Sequence, residues 1–344
     1  MIIIMARILI TGASGFIGAH LARAALAGPH QEVTCLVRHG SCTDSLRSLD
    51  VRLAYGDVTE RDSLLAAVRG HDIVFHLAGC LRAFHLEQLY RVNEEGVHNV
   101  AWACAQQTTP PRLVLASSLA AAGPSLDQRP QTELDPAAPV SHYGQSKQAG
   151  ERAAREFANR VPITIIRPPF VFGEGDPATR KIFRHVARRG IHLVPSWRNH
   201  AISLIHADDL ANLFLLAAER GKRLAPVATD PATAAQGCYF AAAERDLEYA
   251  ELGRMIGTAL GRRRTLILHT GPAIVWTVAT LFTVLARLRG QPTYFDVDKA
   301  REARAGCWTC SAGAATRELG FATAAPLAQR LRQTALWYRE HGWI

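Results

Sequence analysis

Short apolar runs alternate with longer amphipathic stretches through the first half of this chain. Six runs rich in β-branched residues predict strands, at 7–11, 32–37, 51–55, 72–76, 112–116 and 163–166. The stretches between them, among them 16–26, 63–68 and 87–107, repeat their apolar residues at helical spacing. Repeated strand–helix units predict an α/β fold, a doubly wound parallel sheet with helices on both faces.

The regular alternation stops after Pro168 and Pro169. A turn-rich break at 173–177 follows, a strand at 202–205 is expected to return to the sheet, and 208–219 is expected to be helical. From about residue 246 the pattern indicates mainly helix and loop. We therefore expect a smaller, mainly helical C-terminal lobe that closes over the carboxyl ends of the strands, where ligands bind in such sheets.

Composition and charge exclude few functions. The 344 residues are 48% hydrophobic and 20% charged, which is typical of a soluble globular protein. The net charge of +9 favours anionic partners, but the arginines are scattered without interleaved aromatic residues, so nucleic-acid binding is not expected. A phosphorylated cofactor or an anionic membrane surface would use the same charge.

Seven cysteines, an odd number with irregular spacing, indicate free thiols in a reducing cytosol. Cys307 and Cys310 form one C-x-x-C pair, which without a second pair or nearby histidines does not predict a metal site. The first five residues are too few and too uncharged for a secretory signal and are expected to lead into the first strand. The expected location is the cytoplasm, with peripheral contact at the cytoplasmic face of a membrane left open.

A glycine-rich segment from Thr11 to Gly18 follows the first predicted strand and opens the first predicted helix. Gly12 permits a tight turn, Gly15 lets a pyrophosphate approach the backbone, and Gly18 allows close packing of the helix on the strand. A plain structural turn could contain the same glycines. The strand–turn–helix context instead favours a Rossmann-type dinucleotide site, in which the helix N–H groups bind phosphate, and its loop also includes Ser14, Phe16 and Ile17.

With this site the chain divides into a predicted dinucleotide-binding domain, residues 1–172 and 202–242, and a substrate-binding lobe, residues 173–201 and 243–344. The choice of cofactor depends on Arg38, which follows the second strand where a carboxylate would hold the ribose 2′-hydroxyl of NAD. A guanidinium suits the 2′-phosphate of NADP, so we expect NADP, with NAD as the alternative if Arg38 only stacks on the adenine. Asp57, followed by Val58, is placed either to accept from the adenine amino group or to cap the next helix.

Tyr143 and Lys147 stand four residues apart and so share one face of a predicted helix. A neighbouring ammonium is expected to lower the pKa of the phenol, which is ordinarily about 10. Tyr143 would then exchange a proton with a substrate hydroxyl or carbonyl as a hydride moves, and Ser118 would hydrogen-bond the same oxygen. This spacing also occurs often by chance. His142 either lines the cleft or is an ordinary packed or surface histidine.

The order and spacing of these segments resemble the extended short-chain dehydrogenases/reductases, also called the NAD-dependent epimerase/dehydratase family, over nearly the whole chain. The segments that carry the resemblance are T-G-A-S-G-F-I-G at 11–18, F-H-L-A-G at 75–79, V-N at 92–93 with Gly96, S-S at 117–118, Tyr143 with Lys147, R-P-P-F-V-F-G at 167–173 and H-A-D-D-L at 206–210. The resemblance implies catalysis by Ser118, Tyr143 and Lys147, with Asn93 in support. It also implies contacts to the cofactor from Leu77, Ala78, Gly79, Asn93, Tyr143, Lys147, Pro168 and Phe170.

Two departures from the family narrow the chemistry. The segment 119–123 lacks the tyrosine that many nucleotide-sugar epimerases carry before the glycine. Residues 117–119 lack the Thr-Asp-Glu pattern of sugar dehydratases, so dehydration is disfavoured. A basic cluster could serve a nucleotide diphosphate but is more typical of a solvated helix face, and consists of Arg180, Lys181, Arg184, Arg188 and Arg189.

An apolar stretch near the C-terminus bears on the substrate. No Lys, Arg, Asp or Glu occurs between Arg264 and Arg287, and arginines flank the stretch on both sides. We interpret it first as a buried or cleft-lining helix, second as a helix lying on a membrane and third as a membrane span. Its position resembles the 3β-hydroxysteroid and 4-carboxysterol 3-dehydrogenase branch, and segment 36–38 is also similar to flavonoid and cinnamoyl reductases.

Together these features predict an NAD(P)-dependent oxidoreductase that transfers a hydride between the nicotinamide and a secondary alcohol or ketone on a bulky hydrophobic, sterol- or terpenoid-like substrate. A nucleotide-sugar 4-epimerase is the first alternative. A dinucleotide-binding protein without turnover is the second, although such a protein has no need of the Ser–Tyr–Lys set. Peripheral membrane contact through 265–289 and a homodimer are both compatible with the sequence.

Overall fold

The computed structural model describes residues 6–28, 31–125, 129–196, 198–227, 229–290, 293 and 296–344. The expected lead-in at residues 1–5 lies outside this part of the chain. The strands are β1 (Ala6–Thr11), β2 (Gln31–Val37), β3 (Arg52–Tyr55), β4 (Ile73–His76), β5 (Arg112–Ala116), β6 (Ile163–Arg167), β7 (Phe170–Phe172), β8 (Ile191–Val194), β9 (Ala201–Ile202), β10 (Leu204–His206), β11 (Cys238–Phe240), β12 (Leu247–Glu248) and β13 (Leu266–His269).

Seven of these strands form the main sheet, in the order β11-β6-β5-β4-β1-β2-β3, and every neighbouring pair is parallel. The strand order reverses at β1, which lies between β4 and β2. A crevice therefore opens beyond the carboxyl ends of β1 and β4, the usual ligand position in a doubly wound sheet. The predicted fold class is confirmed, and all six strands predicted for the sheet are present within one residue of their expected bounds.

The helices cover both faces of this sheet and build the second lobe. They are α1 (Phe16–Leu26), α2 (Arg61–Val68), α3 (Leu86–Tyr90), α4 (Gly96–Ala105), α5 (Leu119–Ala122), α6 (His142–Arg155), α7 (Thr179–Arg189), α8 (Ala207–Arg220), α9 (Pro231–Ala235), α10 (Tyr249–Ala259), α11 (Pro272–Arg289), α12 (Val297–Arg304), α13 (Gly313–Leu319) and α14 (Leu327–Glu340). A short 3₁₀ turn, Asp44–Leu46, precedes β3, and a π-helical segment, Arg91–Glu95, joins α3 to α4.

Two apolar layers result from the period-two alternation of the strands. Ile8 and Ile10 of β1 belong to the layer that packs on α1, α8 and α13, while Leu9 belongs to the layer that packs on α2 and α4. All three side chains are fully buried. Helices cover both faces, so the middle residues of the central strands are apolar and buried, as expected for a parallel sheet, and most polar residues lie at the strand ends.

The second lobe has its own core between α7, α10 and α14. The large buried residues there include Phe183, Ile256 and Tyr338. Three two-stranded sheets border this lobe, pairing β10 with β7, β12 with β9, and β13 with β8. The mainly helical second lobe is as predicted, although no observation divides the chain at the exact domain bounds given above.

Two predictions of local structure were wrong. The strand expected at 202–205 does not return to the main sheet, because its residues divide between β9 and β10, each paired in a small sheet. The seventh strand of the main sheet is β11, which was not predicted.

The single helix expected at 87–107 is interrupted by the π-helical segment that contains Asn93. Such segments are frequent at functional sites.

Helix α11 is the apolar stretch that the sequence predicted. Only 17% of it is buried, although its length and its mean hydropathy of 1.3 would suit a membrane span. Val275, Ala279 and Ala286 are its buried side chains, and the first two pack with Ala300 of α12. The expectation of burial is therefore wrong for most of this helix, and the other form of that interpretation, a helix that lines the cleft, stays a prediction.

Candidate active site

The turn between β1 and α1 depends on backbone contacts that glycine permits. Gly12 has φ +70°, and a Cβ on it would lie 2.6 Å from the nitrogen of Ala78. A Cβ on Gly18 would lie 2.3 Å from the carbonyl oxygen of Gly12, so α1 packs directly on the turn. The start of α1 is thereby held beside the segment that follows β4, as the glycine pattern predicted.

The first turn of α1 presents backbone donors at the surface. Gly15 is the N-cap and has no side chain to cap the helix, and no acidic residue occupies the first turn. Gly15 is exposed, with Ser14, Phe16 and Ile17 half-buried around it. This cradle fits the pyrophosphate of a nicotinamide dinucleotide, because the helix start offers N–H groups and the positive end of the dipole. When bound, that cofactor supplies or accepts the hydride.

The two residues expected to bind the adenosine half lie at the same edge of the sheet. Arg38 is exposed directly after β2. Asp57 does not cap α2, whose N-cap is Glu60; its Oδ1 accepts from the N–H and the hydroxyl of Thr59, both at 2.9 Å. Val58 beside it is buried. The contacts of Arg38 and Asp57 with a cofactor stay predictions.

The segment after β4 lies between the glycine turn and α6. The N–H of Leu77 donates to the carbonyl of Thr11 at 3.1 Å, and the N–H of Ala78 donates to the Thr11 hydroxyl at 3.2 Å. A Cβ on Gly79 would lie 3.3 Å from Asn93 Oδ1 and 3.9 Å from Lys147 Nζ. A side chain at position 79 would therefore press against two of the predicted site residues.

Asn93 is fully buried and joins this segment to α6. Its Oδ1 accepts from the N–H of Cys80 at 2.8 Å, and its Nδ2 donates to the carbonyl of Cys80 at 2.8 Å and to Ser146 Oγ at 2.9 Å. These contacts fix the segment after β4 against α6. The supporting role and the cofactor contact that the resemblance implies for Asn93 stay predictions.

The segment after β6 runs behind the same site. The carbonyl of Pro168 accepts from the N–H of Leu119 at 2.8 Å, which ties it to the residue after Ser118. Phe170 begins β7 and is half-buried. Both residues border the predicted site, and their contact with the nicotinamide stays a prediction.

Helix α6 brings Tyr143 to Ser118. The helix starts where Ser141 caps it, with Ser141 Oγ accepting from the N–H of Gly144 at 3.0 Å. A Cβ on Gly144 would lie 2.3 Å from the carbonyl oxygen of Ala120, so α6 approaches α5 closely. The side chain of Ser118 lies close enough to the phenol of Tyr143 to act on its pKa. The two residues are therefore neighbours, and their joint role in catalysis stays a prediction.

Lys147 lies one turn further along α6 and is buried. Its Nζ donates to the carbonyl of Ala116, at the end of β5, at 2.7 Å. Burial lowers the pKa of Lys147 to about 8, and the nearby carboxylate of Glu151 acts in the opposite direction. The ammonium therefore keeps a fixed place at the strand ends but loses its proton more readily than a lysine in water.

The expected lowering of the Tyr143 pKa is not found. Burial raises the pKa of the phenol well above its ordinary value; the hydrogen bond with Ser118 opposes this and the charge of Glu302 adds to it. The ammonium of Lys147 is occupied by a backbone carbonyl. Tyr143 is therefore protonated near neutral pH, the form that donates a proton to a carbonyl oxygen during reduction.

Glu151, which sequence reasoning missed, connects this helix to the ends of the neighbouring strands. It is buried and lies on the Tyr143–Lys147 face of α6, four residues beyond Lys147. Its carboxylate accepts from Arg167 at 2.6 and 2.8 Å and from the hydroxyl of Ser117 at 2.5 Å. The sequence signal was present, since Tyr143, Lys147 and Glu151 are each four residues apart, but a glutamate at that spacing is common on solvated helices.

Helix α12 of the second lobe contacts the first turn of α6. The carboxylate of Asp298 accepts from the N–H groups of His142 and Tyr143, at 3.0 and 3.2 Å. Lys299 Nζ lies 5.3 Å from the centre of the Tyr143 ring and pairs with Glu302 at 2.6 Å. Sequence reasoning missed these residues because they follow Tyr143 by more than 150 positions and no local motif marks them.

A cavity of about 280 Å³ opens beside the start of α6. His142 lines it, so this histidine borders the cleft rather than packing elsewhere. The remaining lining comes from the segment before and within α3 and from the α11–α12 region: Ala83, Phe84, Leu86, Thr283, Ala286, Arg287, Thr293, Asp296, Val297, Asp298 and Arg301. The cavity is the candidate substrate cleft.

A separate polar cluster joins α1 to the second lobe. His20, Glu174 and Asp208 place potential metal-ligand atoms within 4.8 Å of one another. However, both ring nitrogens of His20 are engaged, with Asp208 Oδ1 at 2.6 Å and with the carbonyl of Glu174 at 2.8 Å. Arg330 of α14 adds a cation 3.5 Å from Asp208. These contacts describe an ion network between the lobes.

Removing the phenol hydroxyl tests the proton-transfer role. In Tyr143→Phe we expect kcat to fall by about 10²–10⁴-fold, the usual contribution of general acid–base catalysis, while the dissociation constant of the cofactor stays nearly unchanged. Lys147→Met should lower kcat and also weaken cofactor binding, because the ammonium of Lys147 lies at the strand ends beside the predicted cofactor site. Steady-state kinetics and cofactor titration measure the two effects. Near-normal kcat in Tyr143→Phe would refute the assignment.

A second test concerns the contact between α12 and α6. Asp298→Ala leaves the N–H groups of His142 and Tyr143 without their acceptor, and loss of such a helix cap costs about 1 kcal/mol. If that cost falls wholly on the placement of Tyr143, kcat falls by about fivefold. The kcat of Asp298→Asn, which keeps one acceptor oxygen, should lie between those of Asp298→Ala and the wild type. Arg301→Gln is the matched control, because it removes the 3.4 Å ion pair to Asp298 and leaves both caps. Equal losses in Arg301→Gln and Asp298→Ala would contradict the capping role.

Comparison with known proteins agrees with this site. Residues 8–227 match the NAD dependent epimerase/dehydratase family. The chain is 32% identical to a ceramide reductase of Caulobacter vibrioides over 97% of its own length and 95% of that protein. It is 29% identical to the human sterol-4-alpha-carboxylate 3-dehydrogenase, decarboxylating, over 63% of its length and 58% of that protein.

Among solved structures, a UDP-glucose 4-epimerase of Thermotoga maritima has the same fold, with a TM-score of 0.74 and 18% identity over 97% of this chain and 99% of the other. The family match and the whole-length relative together show what the glycine turn and the Ser–Tyr–Lys arrangement indicated. The chain belongs to the NAD-dependent epimerase/dehydratase family, the extended short-chain dehydrogenases/reductases, and is an oxidoreductase that uses a nicotinamide dinucleotide.

Proposed function

We propose that this enzyme reduces a ketone on a bulky, apolar lipid to the secondary alcohol. The observation that carries the proposal is the apolar part of the cleft lining, beside the apolar helix α11 of the second lobe: Ala83, Phe84, Leu86, Ala286 and Val297. The whole-length similarity to a ceramide reductase supports a long-chain, ceramide-type lipid within this class. Similarity to steroid dehydrogenases covers less of the chain and supports an apolar substrate in general.

The charges of the cleft also favour a lipid over a nucleotide sugar. Two carboxylates, Asp296 and Asp298, line the same cleft as Arg287 and Arg301, and Arg301 lies 3.4 Å from Asp298. One of the two arginines is therefore paired with a carboxylate. A nucleotide diphosphate would need cations without such competing partners.

The reduction balances with the groups at the site. Bound reduced cofactor would supply the hydride for the carbonyl carbon, and the phenol of Tyr143 would give its proton to the carbonyl oxygen, so that the ketone becomes a secondary alcohol. Ser118, a neighbour of the phenol, would donate to the same oxygen. Lys147, one turn further along α6, would stabilise the negative charge left on the phenol through its ammonium.

NADPH is the proposed reductant, on the strength of Arg38. This side chain is exposed after β2 and leaves room for a 2′-phosphate. We propose a cytoplasmic enzyme, since no disulfide pairs the seven cysteines, all of which lie in the described chain.

Replacing Arg38 tests the cofactor preference. Arg38→Asp should weaken NADP binding by about 10- to 100-fold, the effect of losing a charge-assisted contact to phosphate, and should leave NAD binding equal or tighter. Arg69→Asp makes the same change of charge at the opposite edge of the sheet and should alter neither. Titration of both cofactors against the three proteins measures this. A wild type that prefers NAD would contradict the 2′-phosphate role.

A substrate panel tests the proposed reaction. The purified enzyme with NADPH should reduce a ceramide-type keto lipid and, more slowly, a sterol-like ketone, both supplied in detergent micelles. It should leave a nucleotide sugar unchanged. Conversion of the nucleotide sugar to its 4-epimer, with no turnover of either ketone, would overturn the proposal in favour of an epimerase.

A further inference from the structure

The exposed side of α11 is mainly apolar, although Thr277 and, in the last turn, Arg289 also lie on it. Ile274, Leu281 and Leu288 follow one another at intervals of seven residues, and their exposed fractions are 54%, 54% and 78%. Val284 and Phe282, exposed by 48% and 43%, lie on either side of this line. At 100° per residue these five positions cover about 160° of the helix circumference, on the side away from the buried face.

The rest of the helix is held by protein. Val275 and Ala279 pack with Ala300 of α12, and Ala286 lines the substrate cleft. A helix that packs against the protein along one side in this way lies on the protein surface and does not cross a bilayer as an isolated span. The exposed face is also much wider than the narrow seam of a two-stranded coiled coil. A broad apolar medium therefore suits it better than a second helix.

Cationic groups border both ends of this face. Arg287 and Arg289 are exposed in the last turn, and no acidic residue occurs from Arg264 to Arg289. Beside the first turns of α11, a second cavity of about 320 Å³ is lined by Arg198, Arg304 and His200 together with Pro272 and Trp276. No carboxylate is among the described residues that line it. These charges complement anionic lipid headgroups.

We propose that α11 is a membrane-docking helix, which lies in the headgroup region of an anionic bilayer with Ile274, Leu281, Val284 and Leu288 facing the acyl chains. Arginines at its two ends contact lipid phosphates. Such a helix combines an apolar face with flanking cations, the general pattern of interfacial binding.

Docking in this orientation would place the substrate cleft at the bilayer surface. Thr283, Ala286 and Arg287, on the protein side of the same helix, line the cavity that also contains His142. This consequence rests on the proposed function: a lipid ketone would pass from the bilayer along α11 to Tyr143 with little exposure to water. The docking itself depends on the surface alone.

Vesicle co-sedimentation of the full chain, without substrate or cofactor, tests the docking. Vesicles of phosphatidylcholine alone are compared with vesicles that contain phosphatidylglycerol. The wild type should bind the anionic vesicles, and the double variant Leu281→Gln/Leu288→Gln should bind them at least about 10-fold more weakly. Arg198→Gln/Arg289→Gln should weaken binding by about fivefold per residue and remove the preference for anionic lipid.

The matched control is Leu134→Gln/Leu336→Gln. These leucines are 58% and 54% exposed but lie outside α11, so their replacement should leave vesicle binding unchanged. Thermal unfolding checks that each variant is folded. The oligomeric state is measured by light scattering in the same buffers.

Three results would overturn the proposal. In the first, the wild type binds neither kind of vesicle. In the second, the control variant loses binding as much as the α11 variant. In the third, the wild type binds no vesicles and is a dimer, whereas the α11 variant is a monomer. The last result would assign the face to a second copy of the chain. Reduction of a short, water-soluble ketone by the Leu281→Gln/Leu288→Gln variant is measured separately, so that failed docking is distinguished from a failed catalytic assignment.

Discussion

A buried ion pair between α6 and the sheet fixes the geometry on which the rest of the site depends. Glu151 and Arg167 are each about nine-tenths buried, and their side chains meet at 2.6 Å. Burial acts to raise the pKa of Glu151, but the charge and hydrogen bonds of Arg167 outweigh it, so that its pKa is lowered. Both groups are therefore ionised, and removal of either would leave a buried charge without a partner.

This pair holds more than its own two residues. Glu151 also accepts from Ser117, the neighbour of Ser118, while Lys147 donates to the carbonyl of Ala116 at the end of the same strand. Helix α6 is thus tied to the ends of β5 and β6 at successive turns. Tyr143 lies one turn before Lys147 on this helix. These contacts hold it in place, together with Asp298 of the second lobe, which accepts from its backbone N–H.

The second lobe therefore acts on the site through α12. Its Asp298 contacts the backbone of the catalytic helix, and the same short helix supports α11 through Ala300. A movement of α11, which borders the substrate cleft, would reach Tyr143 through a path of only two packed helices. The apolar character of α11 and the placement of the phenol are parts of one continuous packing arrangement.

Local sequence determined the Rossmann-type sheet, the glycine turn at Gly12 and the helical spacing of Tyr143 and Lys147, because these features need only near neighbours or a repeating apolar pattern. It did not predict that β11 completes the sheet, since three residues carry too little pattern. Only the tertiary structure decided the pKa direction of Tyr143 and the role of Asp298, because burial and contacts across 155 residues have no signature in the chain. For α11, the sequence shows that the helix is apolar. Only the packing of the neighbouring helices decides which of its faces remains exposed.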